Sequence, residues 1–207
     1  MEKMTIHRAL SELKLIDAKI EKQTGEIVPV GFYQKGKLIY NHITEAEFAA
    51  AAQSRFDSVT ALIARKTAIK SAIVQANGVT KVSVAGKQMT IADAINAKAV
   101  VKFKKALIEK LKAGHRSALA DLNKQNAIVE SNVQKILEAT FGKENVKVMD
   151  SDMEAVRKPY MAANEFHLFD PLKVLAIVEE MEKDVSEFEA EVDAVLSEIN
   201  AVTIIEI

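Results

Sequence analysis

The feature that most constrains this chain lies in its C-terminal quarter. From Val178 the apolar residues run Met181, Val185, Phe188, Val192, Val195, Ile199 and Val202, with spacings that alternate between three and four without a miss. A period of 3.5 residues is that of a helix packed along a seam against another helix. The pattern predicts a mainly α fold: an elongated antiparallel helical bundle or coiled coil. Three Pro and seven Gly in 207 residues, among many Ala, Lys and Glu, point the same way.

The rest of the chain supplies partners for that seam. Thr5 can cap a first helix with Ile6, Leu10, Leu13, Ile16 and Ile20 on one face, ended by Gly25. Thr44 and Glu47 form a capping-box pattern for a second helix, with Phe48, Ala52, Phe56, Val59, Ile63 and Ile73 as its apolar positions and Asn77-Gly78 as its stop. Thr90 and Asp93 open a third helix, read through Val100, Phe103, Leu107, Leu111, Ala118, Leu122, Val129, Val133 and Ile136 to Phe141. Unbroken, it would be about 75 Å long at 1.5 Å per residue. Asp170-Pro171 opens the last helix, expected over 171–202. Two small β-hairpins are expected, near 27–40 and 80–90, the first with an edge strand because of Pro29. Residues 143–170 lose the helical period and are expected to be irregular. The β-prone residues 203–207 can pair with an open hairpin edge. The whole is expected to form one elongated helical domain.

Charge sharpens the picture. Residues 98–124 hold eight Lys or Arg against Glu109 and Asp121, whereas residues 179–198 hold nine acidic residues against Lys183. Complementary rims on the third and last helices account for both runs. The net charge of −1 gives no general attraction to nucleic acid or anionic lipid. Nucleic acid fits poorly as a partner, because Phe103 alone interleaves the basic run. The longest run free of Asp, Glu, Lys and Arg is residues 71–80, well short of the roughly 20 apolar residues that span a bilayer. Charges throughout residues 1–20 leave no apolar core for a secretory signal.

Motifs that carry chemistry are incomplete. With no Cys, thiolate metal sites, disulfides and cysteine nucleophiles are excluded. GFYQKGK at 31–37 has the spacing of a phosphate-binding loop, but Leu38 stands where a Mg²⁺-binding hydroxyl belongs. Asp150, Asp152 and Glu154 begin like a calcium loop, yet Ala155 and Met161 occupy its Gly and Glu positions. His7, His42, His115 and His167 are far apart in sequence, and no GxSxG elbow is present. The expectation is no enzyme, no cofactor and no metal. Candidate interaction residues are the seam (Met181, Val185, Phe188, Val192, Val195, Ile199) and the aromatic tract containing Tyr160, Phe166 and Phe169.

Three stretches carry a family resemblance: TIHRALSELKLIDAKI at 5–20, KSAIVQANGVTKVSVAGKQMTIADAI at 70–95, and the acidic heptad C-terminus. Together they resemble small helical virion proteins of large tailed bacteriophages, and more weakly septicolysin-like bacterial proteins. The resemblance implies a structural part of a virion, in tail or baseplate ahead of capsid. It also implies a location in the virion, and in the host cytoplasm during assembly. Its partners would be other virion proteins or further copies of itself, with no membrane involved. The alternative it implies is a bacterial helical adaptor or septicolysin-like protein-binding factor.

Overall fold

The computed structural model describes residues 2–34, 44–142 and 150–207. Five helices and two antiparallel two-stranded sheets make up the described residues, and the fold is mainly α. In order these are β1 (Lys3–Thr5), α1 (Ile6–Gly25), α2 (Glu45–Val79), β2 (Lys81–Val84), β3 (Lys87–Thr90), α3 (Ile91–Phe141), α4 (Asp150–Asn164), α5 (Val174–Val202) and β4 (Ile204–Glu206). They group into two compact units. Unit 1 holds residues 1–99 and 187–207, and unit 2 holds residues 100–186.

In unit 1, α1 and α2 form a helical hairpin. Thr5 caps α1 by accepting from the Arg8 N–H at 3.2 Å. Thr44 and Glu47 cap α2 reciprocally, with Glu47 Oε2 2.8 Å from the Thr44 N–H. The helices run antiparallel: Arg65 of α2 pairs with Glu12, Lys66 Nζ lies 2.5 Å from Asp17, and Arg55 reaches the Glu26 carbonyl at 2.6 Å. The core between them comes from Ile6, Ala9, Leu13 and Ile16 of α1 and Ile69 and Ile73 of α2. Burying one such side chain is worth roughly 1.5–3 kcal/mol, whereas an exposed ion pair is worth about 0–1. Apolar burial therefore holds the hairpin, and the charges set its direction.

The two sheets close the same core. β2 and β3 pair with Val82 opposite Met89 and Val84 opposite Lys87. Their two-residue loop, Ala85-Gly86, has φ of 49° and 71°, the left-handed pair that a type I′ turn needs to match strand twist. Val82 and Val84 point into the core while Lys81 and Ser83 stay outside. β4 pairs with β1, Met4 opposite Ile205, and both residues are buried. The β-prone residues 203–207 thus join a strand preceding the first helix and leave the hairpin edge alone. A strand of three residues, Lys3–Thr5, has no periodic signal of its own.

Other expectations are corrected. Residues 27–34 carry no strand, so the first strand of the hairpin expected near 27–40 does not form; its remainder lies outside the described residues. Pro29 has no N–H to give and confines any strand there to a sheet edge. The α2 helix passes through Asn77-Gly78 and ends at Val79, with the Thr80 N–H bonding the Ala76 carbonyl at 2.9 Å. Its buried residues are Val59, Ile69 and Ile73, while Phe56 and Ile63 face outward.

In α3 the reciprocal Thr90–Asp93 cap forms, and Gly114 does not interrupt its 51 residues. The buried stripe starts with Ile91 and Ala94 and continues through Val101 and Ile108, so that Val100, Phe103 and Leu107 of the sequence reading lie outside, whereas its Val129 and Val133 are buried as expected. Both stripes are apolar, so periodicity alone did not separate them. The irregular segment expected over 143–170 is in part a helix, since residues 150–164 form α4 with Pro159 inside it. Asp150 and Asp152 favour its first turn, and a proline removes one internal N–H bond without ending a helix. Last, α5 starts at Val174. Residues 171–172 form a turn, Lys173 has φ of 54°, and Asp170 Oδ2 accepts from the Val174 N–H at 2.9 Å.

Complementary rims do pair α3 with α5. Lys98 Nζ lies 2.5 Å from Asp193 Oδ1 in unit 1, and Lys112 pairs with Glu182 in unit 2.

Candidate functional site

The structure divides the candidate interaction residues into an inner and an outer set. Along α5, Val192 is 1% exposed and belongs to the unit 1 core, with Phe188, Val195 and Ile199 packed against that core. In unit 2, Val178 and Val185 are buried and Met181 is half-buried. Val178, Val185 and Val192 are therefore the deep seam positions, and Met181, Phe188, Val195 and Ile199 are half-buried. Only Val202, at the end of the seam, is openly exposed at 68%.

The aromatic tract is different. Glu130 of α3 holds α4 through Arg157, with Arg157 Nη2 2.9 Å from Glu130 Oε1. Three half-buried residues of α4, Met153, Val156 and Tyr160, follow three- and four-residue spacing. That short stripe was the sequence signal for α4, hidden between acidic residues and a proline. Asn164 closes the helix by donating to the Tyr160 carbonyl at 2.8 Å.

Beyond α4 the chain is pinned by one amide. Asn126 of α3 donates from Nδ2 to the Phe166 carbonyl at 2.9 Å and accepts at Oδ1 from the Phe166 N–H at 2.8 Å. The pair mimics a strand contact, so the Phe166 backbone is fixed although the segment is not in regular structure. Its side chain is 50% exposed and that of Phe169 is 87% exposed. Leu168, Leu172 and Leu175 extend the exposed apolar surface; sequence reasoning had not singled out the last two.

Beside the clamp lies a cavity of about 500 Å³, whose walls include Val129 of α3, Tyr160 and Asn164 of α4, and Phe166. Gln125, Asn132 and Glu165 add polar groups to its rim. Amide side chains beside aromatic rings can bond peptide N–H and C=O groups while the rings take up apolar side chains. This arrangement is suited to holding another polypeptide.

The remaining sequence candidates do not converge. Asp150 and Asp152 sit in the first turn of α4, and Glu154 is within ion-pair distance of Lys158 at 3.7 Å. Among the described residues no group of three or more His, Asp or Glu is placed to hold a metal ion. His7, His115 and His167 lie on α1, on α3 and in the aromatic tract. His42 lies outside the described residues, as does part of the phosphate-loop-like stretch at 31–37. Among the described residues, no helix is long and apolar enough to cross a membrane. No family model, curated protein or solved structure matches this chain.

Proposed function

We propose that this protein is a non-enzymatic structural component of a tailed-phage virion, in tail or baseplate ahead of capsid, acting through protein–protein contacts. The observation that carries the contact function is the two-bond clamp of Asn126 on Phe166, beside Phe169 at 87% exposure. Holding a backbone rigid while its aromatic side chains stand in water lowers the ordering cost of docking a partner. Aromatic residues are also enriched at the energetic centres of protein interfaces. The virion setting rests on the three sequence stretches that resemble phage structural proteins.

Peptide mass spectrometry of purified phage particles from the source strain tests this reading. The expected result is this chain at a fixed ratio to the other particle proteins. Its absence from particles, despite good expression in infected cells, overturns the virion setting and favours a helical adaptor.

A further inference from the structure

Among the described residues, no strand other than β3 pairs with β2. The Ile91 N–H bonds the Thr80 carbonyl at 3.0 Å, so Thr80, and by alternation Val82 and Val84, direct their backbone groups toward β3. The N–H and C=O groups of Lys81 and Ser83 therefore point away from β3. The next N–H on that side, Ala85, is taken by Glu191 Oε2 of α5 at 2.7 Å. Past Glu191, a groove of about 480 Å³ runs between β2 and α5, lined by Lys81, Ser83, Val195, Glu198, Ile199 and Val202. Its wall thus combines strand-edge backbone groups with aliphatic side chains. A ligand that satisfies both is an extended polypeptide with apolar residues at alternate positions.

This chain carries such a segment elsewhere in unit 1. Val28 and Val30 alternate with Pro29 and Gly31, and both valines are exposed, Val30 at 78%. The segment is held at each end against α2. Arg55 bonds the Glu26 carbonyl, and the Tyr33 hydroxyl bonds Glu45, which raises the Tyr33 pKa. In a strand added parallel to β2, Val28 and Val30 would turn their backbone groups to β2 and share the face of Val82 and Val84, toward the α5 aliphatics, and Pro29 would turn its backbone outward, where a missing N–H costs nothing. The segment cannot reach the groove of its own chain. Arg55 is separated from the β2 end of α2 by about 36 Å of helix, whereas four residues beyond Glu26 span at most about 14 Å.

We propose that the open edge of β2 receives segment 27–31 of a second copy of this chain, as an added strand. Donor and acceptor are different surfaces, so the contact is heterologous and repeats from copy to copy into a ring or filament. It uses unit 1 alone, so its failure is distinguishable from failure of the aromatic docking surface in unit 2.

The chain contains no Cys, so engineered thiols report without background. Full-length V30C and S83C are mixed at high micromolar concentration and treated with a short bis-maleimide. The expected product is a covalent V30C–S83C dimer that neither variant forms alone. Adding V202D to the S83C chain, or an excess of free peptide spanning 27–33, should abolish it; Val202 is exposed, so that substitution leaves the fold intact. No dimer, although both thiols label fully with a monofunctional maleimide, overturns the proposal. So does V30C linking to itself as readily as to S83C. Sedimentation of the unmodified chain as a strict monomer at the same concentration also overturns it.

Discussion

At the scale of single residues, Arg65 joins two carboxylates of unit 1. Its guanidinium bonds Glu12 and, at 2.8 Å, Glu2, so one α2 side chain ties α1 to the residue just before β1. The hydrogen bond from Arg65 holds the Glu12 carboxyl below its ordinary range, with partial burial opposing. The hydrogen bond from Lys3 does the same for Glu206, where β1 meets β4. A carboxylate whose folded pKa is lowered adds stability that is fully present above its unfolded pKa, about 4.3 for Glu, and lost as pH falls through the folded value. Thermal melts should therefore be flat from about pH 5 to pH 8 and fall below about pH 4. E12Q should remove on the order of 1 kcal/mol at pH 7 and flatten the acid limb of the curve. An acid limb unchanged in E12Q would mean that the Arg65–Glu12 contact contributes nothing in solution.

At the scale of elements, the heptads, caps and turn residues were legible because each has a local cause. The 3.5-residue period on α5, the Thr44–Glu47 and Thr90–Asp93 caps, and the Ala85-Gly86 turn all lie where the sequence placed them. What sequence left open was which of two adjoining apolar stripes a helix turns inward. On α3 both Val100-Phe103-Leu107 and Val101-Ile108 satisfy the period, and the choice depends on a helix more than 60 residues away in sequence. The β1–β4 pairing is non-local for the same reason. In the candidate site, Phe166 and Phe169 were visible as an aromatic tract, but the Asn126 clamp was not, since its partner lies 40 residues earlier. The α3 helix also yields a stability prediction. Gly114 is exposed in its interior with nothing within 4 Å of an added Cβ. G114A should raise stability by about 1 kcal/mol, read as a higher urea midpoint with an unchanged slope. A lower midpoint would mean that the glycine serves a contact or bend at that point.

At the scale of the whole molecule, the two units divide the apolar surface differently. Unit 1 encloses a core fed by four helices and four strands, while unit 2 keeps a fixed aromatic surface outside. A side chain that is 87% exposed contributes little to folding, so F169S should leave the melting temperature within about 1 °C of the parent. On the proposed virion role, the same variant should lose most of its incorporation into particles, measured by quantitative peptide mass spectrometry after infection. Full incorporation of F169S together with a Phe166 substitution would remove the aromatic tract as the docking surface. The pairing of β1 with β4 has a bearing on synthesis as well. Met4 and Ile205 pack in one core, yet a ribosome makes them about 200 residues apart. At 5–20 residues per second, the apolar faces of α1 and α2 wait roughly 6–25 seconds after α2 is made for the strand that covers them. During that interval the nascent chain presents an unfinished core to every neighbour on the same polysome, and the order of translation becomes part of how this fold is reached.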